Sequence, residues 1–336
     1  MAEKFIIITS IQKPTEAVKK FAEYSDYSLI LVGDKKSPKD FPITRNISFI
    51  SCDRQEELGY GITQILPWNH YCRKMIGYLY AIKNGAEIIY DTDDDNIPKN
   101  NWSMYKFQGE YNTLKEDLGF VNIYNYFSDQ HIWPRGFPLD KLDKKVDWDN
   151  NLKMEYANIR IWQGLADSDP DVDAIYRLTL NRECFFNNKE PIILSKGTIC
   201  PFNSQNTFIR KELFALLYLP STVTFRFTDI LRGLIAQPIM WAQGYQLGFT
   251  KATVLQERNI HDYLKDFESE IPCYLLAQRI IDLVNPVVSS RNTIEDNLLI
   301  AYEVLTINNI VKPQELDTLF CWLEDIKTTG KFLIQQ

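Results

Sequence analysis

The sequence predicts an α/β fold: a mostly parallel sheet flanked by helices, followed by a small helical C-terminal region. Three observations lead there. Continuous apolar runs such as Phe5-Ile6-Ile7-Ile8-Thr9 read as strands buried on both faces. These runs alternate with helix-like segments as far as Tyr90, the pattern of a parallel sheet covered on both sides. Past residue 270, only helical spacing remains.

After the first strand, Pro14 opens a helix over Thr15 to Tyr24. Ser28 to Val32 is the second strand, ending in Gly33-Asp34, and Ile47 to Ser51 is the third. Asn69 to Asn84 reads as a helix: Met75, Ile76, Leu79, Tyr80 and Ile82 share an apolar face, and Gly85 is placed to end it. Ile88 to Tyr90 is the next strand. Phe120 to Tyr126 and Ala174 to Leu178 are strand-like, and residues 128–150, rich in Pro, Trp and Asp, read as a long functional loop or an insertion. The stretch Arg226 to Gly233 leads into a helix that continues to Tyr245. Three more helices are expected near 272–284, 293–309 and 313–327, punctuated by Pro286 and Pro313. The expected division is a catalytic body over residues 1–270 and a helical region over 271–336.

Hydrophobic residues fill 45% of 336 positions, enough to build a sizeable core. A formal charge of −7 argues against bulk electrostatic binding to nucleic acid or anionic membrane, so an anionic ligand needs a local cation. The six cysteines are scattered without metal-type spacing, which fits reduced thiols in a cytoplasmic setting. No apolar run approaches the roughly 20 residues of a membrane-spanning helix, and no signal-peptide layout precedes the first strand.

The chemistry centres on Asp91-Thr92-Asp93-Asp94-Asp95, directly after the apolar run Ile88-Ile89-Tyr90. Carboxylates this close repel one another unless a cation sits among them. Asp91 and Asp93 point the same way if the chain stays extended, and would then hold Mn²⁺ or Mg²⁺ against a diphosphate. The plain alternative is a solvated loop or a helix-capping cluster. A phosphatase of the haloacid dehalogenase type also carries Asp-x-Asp after a strand. It places the motif near the first strand, with Thr or Val following, whereas here it comes late and Asp95 fills the fifth position.

Open α/β sheets bind ligands beyond the carboxyl ends of their strands, where Thr9, Ser10 and Asp34 fall. Arg73 and Lys74 are either a solvated pair or contacts for a diphosphate or base. Asp229, flanked by Arg226 and Arg232, is either a structural ion pair at a helix start or a base for an acceptor hydroxyl, with an arginine beside it for phosphate. His261 is either structural or a third metal ligand. The acidic cluster at 167–173 reads as a turn, with a second metal or acceptor site as its alternative.

An early nucleotide-binding half, Asp-x-Asp after a strand, a later carboxylate and a late histidine resemble the order of features in GT-A type glycosyltransferases. More narrowly, four groups of residues resemble the STELLO family of glycosyltransferase-like proteins. They are Arg73-Lys74-Met75-Ile76-Gly77-Tyr78-Leu79-Tyr80-Ala81-Ile82 with Asp91 to Asn96; Gly164-Leu165 with Asp169 to Leu178; Pro201-Phe202-Asn203-Ser204-Gln205-Asn206-Thr207; and Phe225 to Ile230 with Arg232-Gly233. The resemblance covers about residues 1–270. It implies a GT-A-like, Rossmann-like fold and nucleotide-sugar chemistry. It implies Asp91 on the ribose or donor sugar, Asp93 on the metal with Asp95 as a further carboxylate, Asp229 as catalytic carboxylate and His261 as metal ligand. Thr9, Ser10 and Asp34 match only by their positions at strand ends. Plant STELLO proteins carry an N-terminal membrane anchor in the Golgi. No such anchor is read here, so the expectation is a soluble catalytic unit, cytoplasmic or peripheral to a membrane-associated glycan assembly system.

The expected function is a metal-dependent transfer of a sugar from a nucleoside-diphosphate sugar to the hydroxyl of a glycan or other acceptor, inverting by single displacement, with retention as its alternative. Two alternatives stand beside it: a nucleotide-sugar mutase, and a GT-A-shaped scaffold without turnover.

Overall fold

All four expected strands of the N-terminal half are present in the computed structural model, which describes residues 3–38, 41, 46–258 and 261–331. They are β1 (Lys4–Thr9), β2 (Ser28–Val32), β3 (Ile47–Ile50) and β4 (Ile88–Thr92). They pair in parallel in the order β3-β2-β1-β4. Helix α1 (Glu16–Phe21) is capped by the Thr15 hydroxyl, which accepts from the Val18 N–H at 3.3 Å. Helices α2 (Cys52–Glu57) and α3 (Lys74–Lys83) lie between β3 and β4. The stretch expected to be helical from Asn69 is a loop and a 3₁₀ turn before Lys74, because His70 caps Tyr71–Arg73 from an extended backbone.

Alternate residues of β1 and β2 enter two cores, Phe5, Ile7, Ile30 and Val32 on one face and Ile6, Ile8, Leu29 and Leu31 on the other. That is why these strands read as unbroken apolar runs. Gly77 sets the distance of α3 from the sheet: a Cβ there would stand 2.7 Å from Ile7 Cγ2 and Val32 Cγ2.

The sheet as a whole corrects the expectation of a mostly parallel one. It is mixed, with order β3-β2-β1-β4-β11-β8-β6-β9-β12-β5. The later strands are β5 (Asn96–Pro98), β6 (Gln108–Leu114), β8 (Leu152–Ser168), β9 (Ile192–Leu194), β11 (Asn206–Arg210) and β12 (Gln246–Gln256); β7 (Gly119–Phe120) and β10 (Thr198–Ile199) form a separate pair. β11 runs antiparallel to both β4 and β8, and β6 antiparallel to β8. Parallel neighbours need a crossover, usually a helix, and between β4 and β11 only short helical turns intervene; β12 nevertheless pairs with β8 in parallel, as β6 does with β9.

The segment expected as a strand at Ala174–Leu178 is instead helix α6 (Ala174–Thr179), following the short turns α4 (Tyr124–Phe127) and α5 (Trp148–Asn151). Asp173 caps it through the Tyr176 N–H at 2.8 Å. Helix α7 (Thr228–Ala242) is almost wholly buried. Three further helices follow: α8 (Tyr263–Val284), α9 (Ile294–Ile307) and α10 (Gln314–Lys331). α8 begins before the expected residue 272 and carries Pro272 within it. Cys273, Ala277, Leu298, Tyr302 and Trp322 from these helices join the same core as α3 and α7. Buried Glu315 ties α10 to the loop after β11, accepting from the Ser221 N–H at 2.9 Å and the Thr222 N–H at 2.7 Å.

Candidate functional site

A cleft of about 340 Å³ opens beyond the carboxyl ends of β1 and β2. Thr9, Ser10, Asp34, Asn69, Tyr71 and Arg73 line it, with Asp94 and Phe225 at its wall. Phe225 is 53% exposed and meets His70 and Tyr71 edge-on, with ring centroids 5.9 and 5.7 Å away. An exposed aromatic face on a cleft wall is a surface on which a planar ring stacks.

Asp34 builds the cleft more than it faces into it. Its oxygens accept from the N–H groups of Asn69 at 2.8 Å, Lys35 at 2.7 Å and His70 at 3.3 Å. Ser10 donates to Asp94, which fastens the end of β1 to the acidic run. Arg73 is buried beneath, stacked 3.6 Å from the Trp68 ring centroid and donating to Gln55, Thr63 and Leu66. It is a frame residue, with four of its five donors spent on Gln55, Thr63 and Leu66.

The acidic run differs most from its expected form. β4 continues two residues past its apolar run, so Asp91 lies within the sheet, opposite Ile7 on one side and Thr207 on the other. Asp91 and Asp93 do share one side, and the cation between them is Lys74. The Lys74 ammonium stands 2.7 Å from Asp91 Oδ1 and 3.0 Å from Asp93 Oδ1. Arg232 from α7 reaches the other Asp91 oxygen at 3.0 Å, and the Tyr71 hydroxyl donates to Asp93 at 2.7 Å. Lys74 and Asp91 are both 0% exposed. Burial alone would push the Asp91 carboxyl up, but Lys74 and Arg232 hold it below the usual carboxylate range. Two carboxylates and two protein cations leave this group with no net charge.

The residues expected to hold Mn²⁺ or Mg²⁺ therefore do not fit a metal as they stand. Asp91 is enclosed, with a protein cation against each of its oxygens. Asp95 accepts from Gln256 at 3.1 Å and from Asn96 at 3.1 Å. Burial, aided by Asp93, pushes the Asp95 carboxyl up to about 7. His261 pairs with Asp266 at 2.9 Å at the start of α8. Among the described residues, no three His, Cys, Asp or Glu side chains come together as a metal cage.

Asp229 sits near the start of α7 and gives both its oxygens to Arg135, each at 3.0 Å. The Ser204 N–H adds a third bond at 3.3 Å. Arg135 simultaneously holds Asp171 at 2.8 and 2.9 Å, and Asn203 donates to that carboxylate at 2.6 Å. The base expected at Asp229 is thus one wall of a buried arginine clamp. Arg135 was missed in the sequence because it lies in the irregular 128–150 stretch. Its one local signal is Gly136, held at φ +86 against Ile230 of α7. The 167–173 cluster is a structural knot: Asp167 holds Lys99 at 2.5 Å, Asp169 holds Arg177, and Asp173 accepts from the Trp133 indole at 2.6 Å.

No helix among the described residues is long and apolar enough to cross a membrane. The profile of a family described as "STELLO glycosyltransferases" matches residues 226–335, which carries the likeness beyond residue 270 into the C-terminal helices. "Probable glycosyltransferase STELLO1" of Arabidopsis thaliana is 27% identical over 98% of this chain, and "Probable glycosyltransferase STELLO2" of the same plant is 26% identical over 98%. The chain spans 45% of the length of each of these relatives. The matches agree with the four groups of residues singled out above, and the chain is similar to STELLO-family, glycosyltransferase-like proteins.

Proposed function

We propose that the chain transfers a sugar from a nucleoside-diphosphate sugar to an acceptor hydroxyl, with the nucleotide seated in the cleft beyond β1 and β2. The observation that carries the reading is the cleft itself. It lies at the carboxyl ends of parallel strands, with an exposed stacking surface at Phe225 and the acidic run at its edge. In the transfer, the acceptor oxygen bonds to the anomeric carbon as the bond to the diphosphate breaks. Asp229 keeps a place in the proposal as the acceptor-side carboxylate, on the condition that Arg135 gives up one of its oxygens when the acceptor binds. Inversion by single displacement follows from that arrangement. No step is routed through Mn²⁺ or Mg²⁺, because Lys74 occupies the position between Asp91 and Asp93.

A thermal-shift panel of nucleoside diphosphates and their sugars tests the seat of the donor, since a ligand of the native state raises apparent stability. At least one base should raise the transition, and Phe225→Ala should cut the shift. A flat response to every nucleotide sinks the reading.

A further inference from the structure

Four arginines gather around Asp169 and Asp171, and three of them have carboxylate ion pairs. Arg135 holds Asp171 and Asp229, Arg177 holds Asp169, and Arg226 holds Glu270 at 2.7 Å. Arg258 differs. It follows the end of β12, two residues beyond Gln256, whose amide bonds Asp95. The intervening Glu257 N–H donates to the Asp95 carbonyl at 3.0 Å, which pins this turn to the acidic run. Among the described residues, Arg258 has no ion pair, and its Nε is buried without a hydrogen-bond partner. The Nε of Arg177 is likewise buried and unbonded, on a side chain only 5% exposed.

A guanidinium stays charged in a protein, so an enclosed one with unused donors carries a standing cost of lost hydration. Burial disfavours the Arg258 cation, and the nearby Arg226 and Arg177 add repulsion that Asp171 and Asp169 only partly offset. A planar fork with free donors, close to other cations, is the arrangement that binds phosphate bidentately.

We propose that Arg258, backed by the free Nε of Arg177, is a phosphoryl-binding site that engages its anion without a divalent cation. Within the proposed sugar transfer, on which this assignment of the anion rests, the phosphoryl group is the diphosphate of the donor. The same chemistry would hold a phosphate carried by the acceptor. Arg258 is tied to the acidic run through Gln256, whose side chain donates to Asp95, the residue after Asp94 of the cleft wall.

Calorimetry in EDTA buffer, with pyrophosphate, inorganic phosphate, UDP and GDP as separate titrants, tests the site. The wild-type protein should bind pyrophosphate in EDTA. Arg258→Gln should weaken that binding at least tenfold, and Arg258→Lys should recover part of it. Arg258 donates to no described protein atom, so these variants should keep the wild-type far-UV circular dichroism, and Arg177→Gln offers a second route to the same loss. If a nucleoside diphosphate binds with the same Arg258 dependence, the donor is the source. If only the nucleotide-free phosphates bind and depend on Arg258, the phosphoryl site stands, its ligand belongs to the acceptor, and the donor cleft reading falls. If nucleoside diphosphates bind Arg258→Gln as tightly as wild type, or bind only when Mn²⁺ is added, the inference is overturned while the donor reading survives.

Discussion

Replacing Lys74 with Met should be among the most destabilising single changes near the site. The ammonium is 0% exposed, ion-paired with Asp91 at 2.7 Å, and donates to Asp93 at 3.0 Å and to the Thr92 carbonyl at 2.6 Å. Met keeps most of the volume, so cavity formation contributes little. What remains is a group with two carboxylates and one cation, and Asp91 has no water to turn to. Breaking a buried pair from one side costs about 3–5 kcal/mol. Arg232 stays on the other Asp91 oxygen at 3.0 Å, which places the expectation at the lower end, about 3 kcal/mol.

The pH dependence has a definite sign. In the wild type the Asp91 carboxyl lies below its ordinary value, so its contribution is present above the unfolded pKa and fades as pH falls through the folded one. The penalty of Lys74→Met is therefore fullest near neutral pH and shrinks toward about pH 4 as the orphaned carboxylate protonates. Adding Asp91→Asn leaves one carboxylate, Asp93, and one cation, Arg232, and should recover part of the loss. Urea unfolding of the two single variants and the double variant at pH 5 and pH 7.5 measures the coupling directly. A cost below about 1 kcal/mol for Lys74→Met, or a double variant no better than the single, would show that the lysine does not neutralise this run.

Asp95→Asn should make the protein relatively more stable as pH rises. The folded carboxyl holds its proton up to about 7 while the unfolded chain releases it near 4, so the wild type loses stability across that window. Three units set an upper bound of about 4 kcal/mol, reduced by partial solvent access, and melting curves at pH 5 and pH 8 should diverge between the two proteins. Asp229→Asn should retain nucleotide-induced thermal shifts and reduce transfer by about 10²–10⁴-fold if Asp229 is the base. Transfer at the wild-type rate would place the base elsewhere. Gly136→Ala forces a side chain onto Ile230 at φ +86, and an unfolding midpoint equal to wild type would show that this turn does not set the position of Arg135.

Much of the N-terminal half is legible in the sequence because its strands are buried on both faces and need no partner to be read. Thr9, Ser10 and Asp34 could be placed from strand ends alone, and all three do line one cleft. β8 was not legible. It begins with an exposed stretch, Leu152 to Tyr156, and continues through polar Arg160 and Gln163, so neither alternation nor an apolar run marks it. Asp91 was misread for a related reason. The apolar run stops at Tyr90, and a carboxylate inside a buried strand is tolerated only when its cations come from elsewhere. One of them, Arg232, lies 141 residues further along. Arg135 and Asp171, 36 residues apart, are likewise joined only by the fold.

The contrast between the acidic motif and its environment bears on how a departing diphosphate would be stabilised. Asp-x-Asp signals a metal because unbalanced carboxylates attract one. Here the balance is already met, so a divalent ion at Asp91 and Asp93 would have to displace an ammonium bonded at 2.7 and 3.0 Å inside the protein. The positive charge that a leaving diphosphate requires must then come from a group not already spent on Asp91, Asp93, Asp171 or Asp229. Lys74, Arg232 and Arg135 are spent in that way, and Arg73 is spent on the frame of the cleft. Lys36 on the cleft lining and Arg258 are not spent in this way among the described residues, and Arg258 is attached to the same acidic run through Gln256 and Glu257. The motif on this reading organises the lysine and arginine side chains around it, and the anion is met by an arginine delivered from the far end of the sheet.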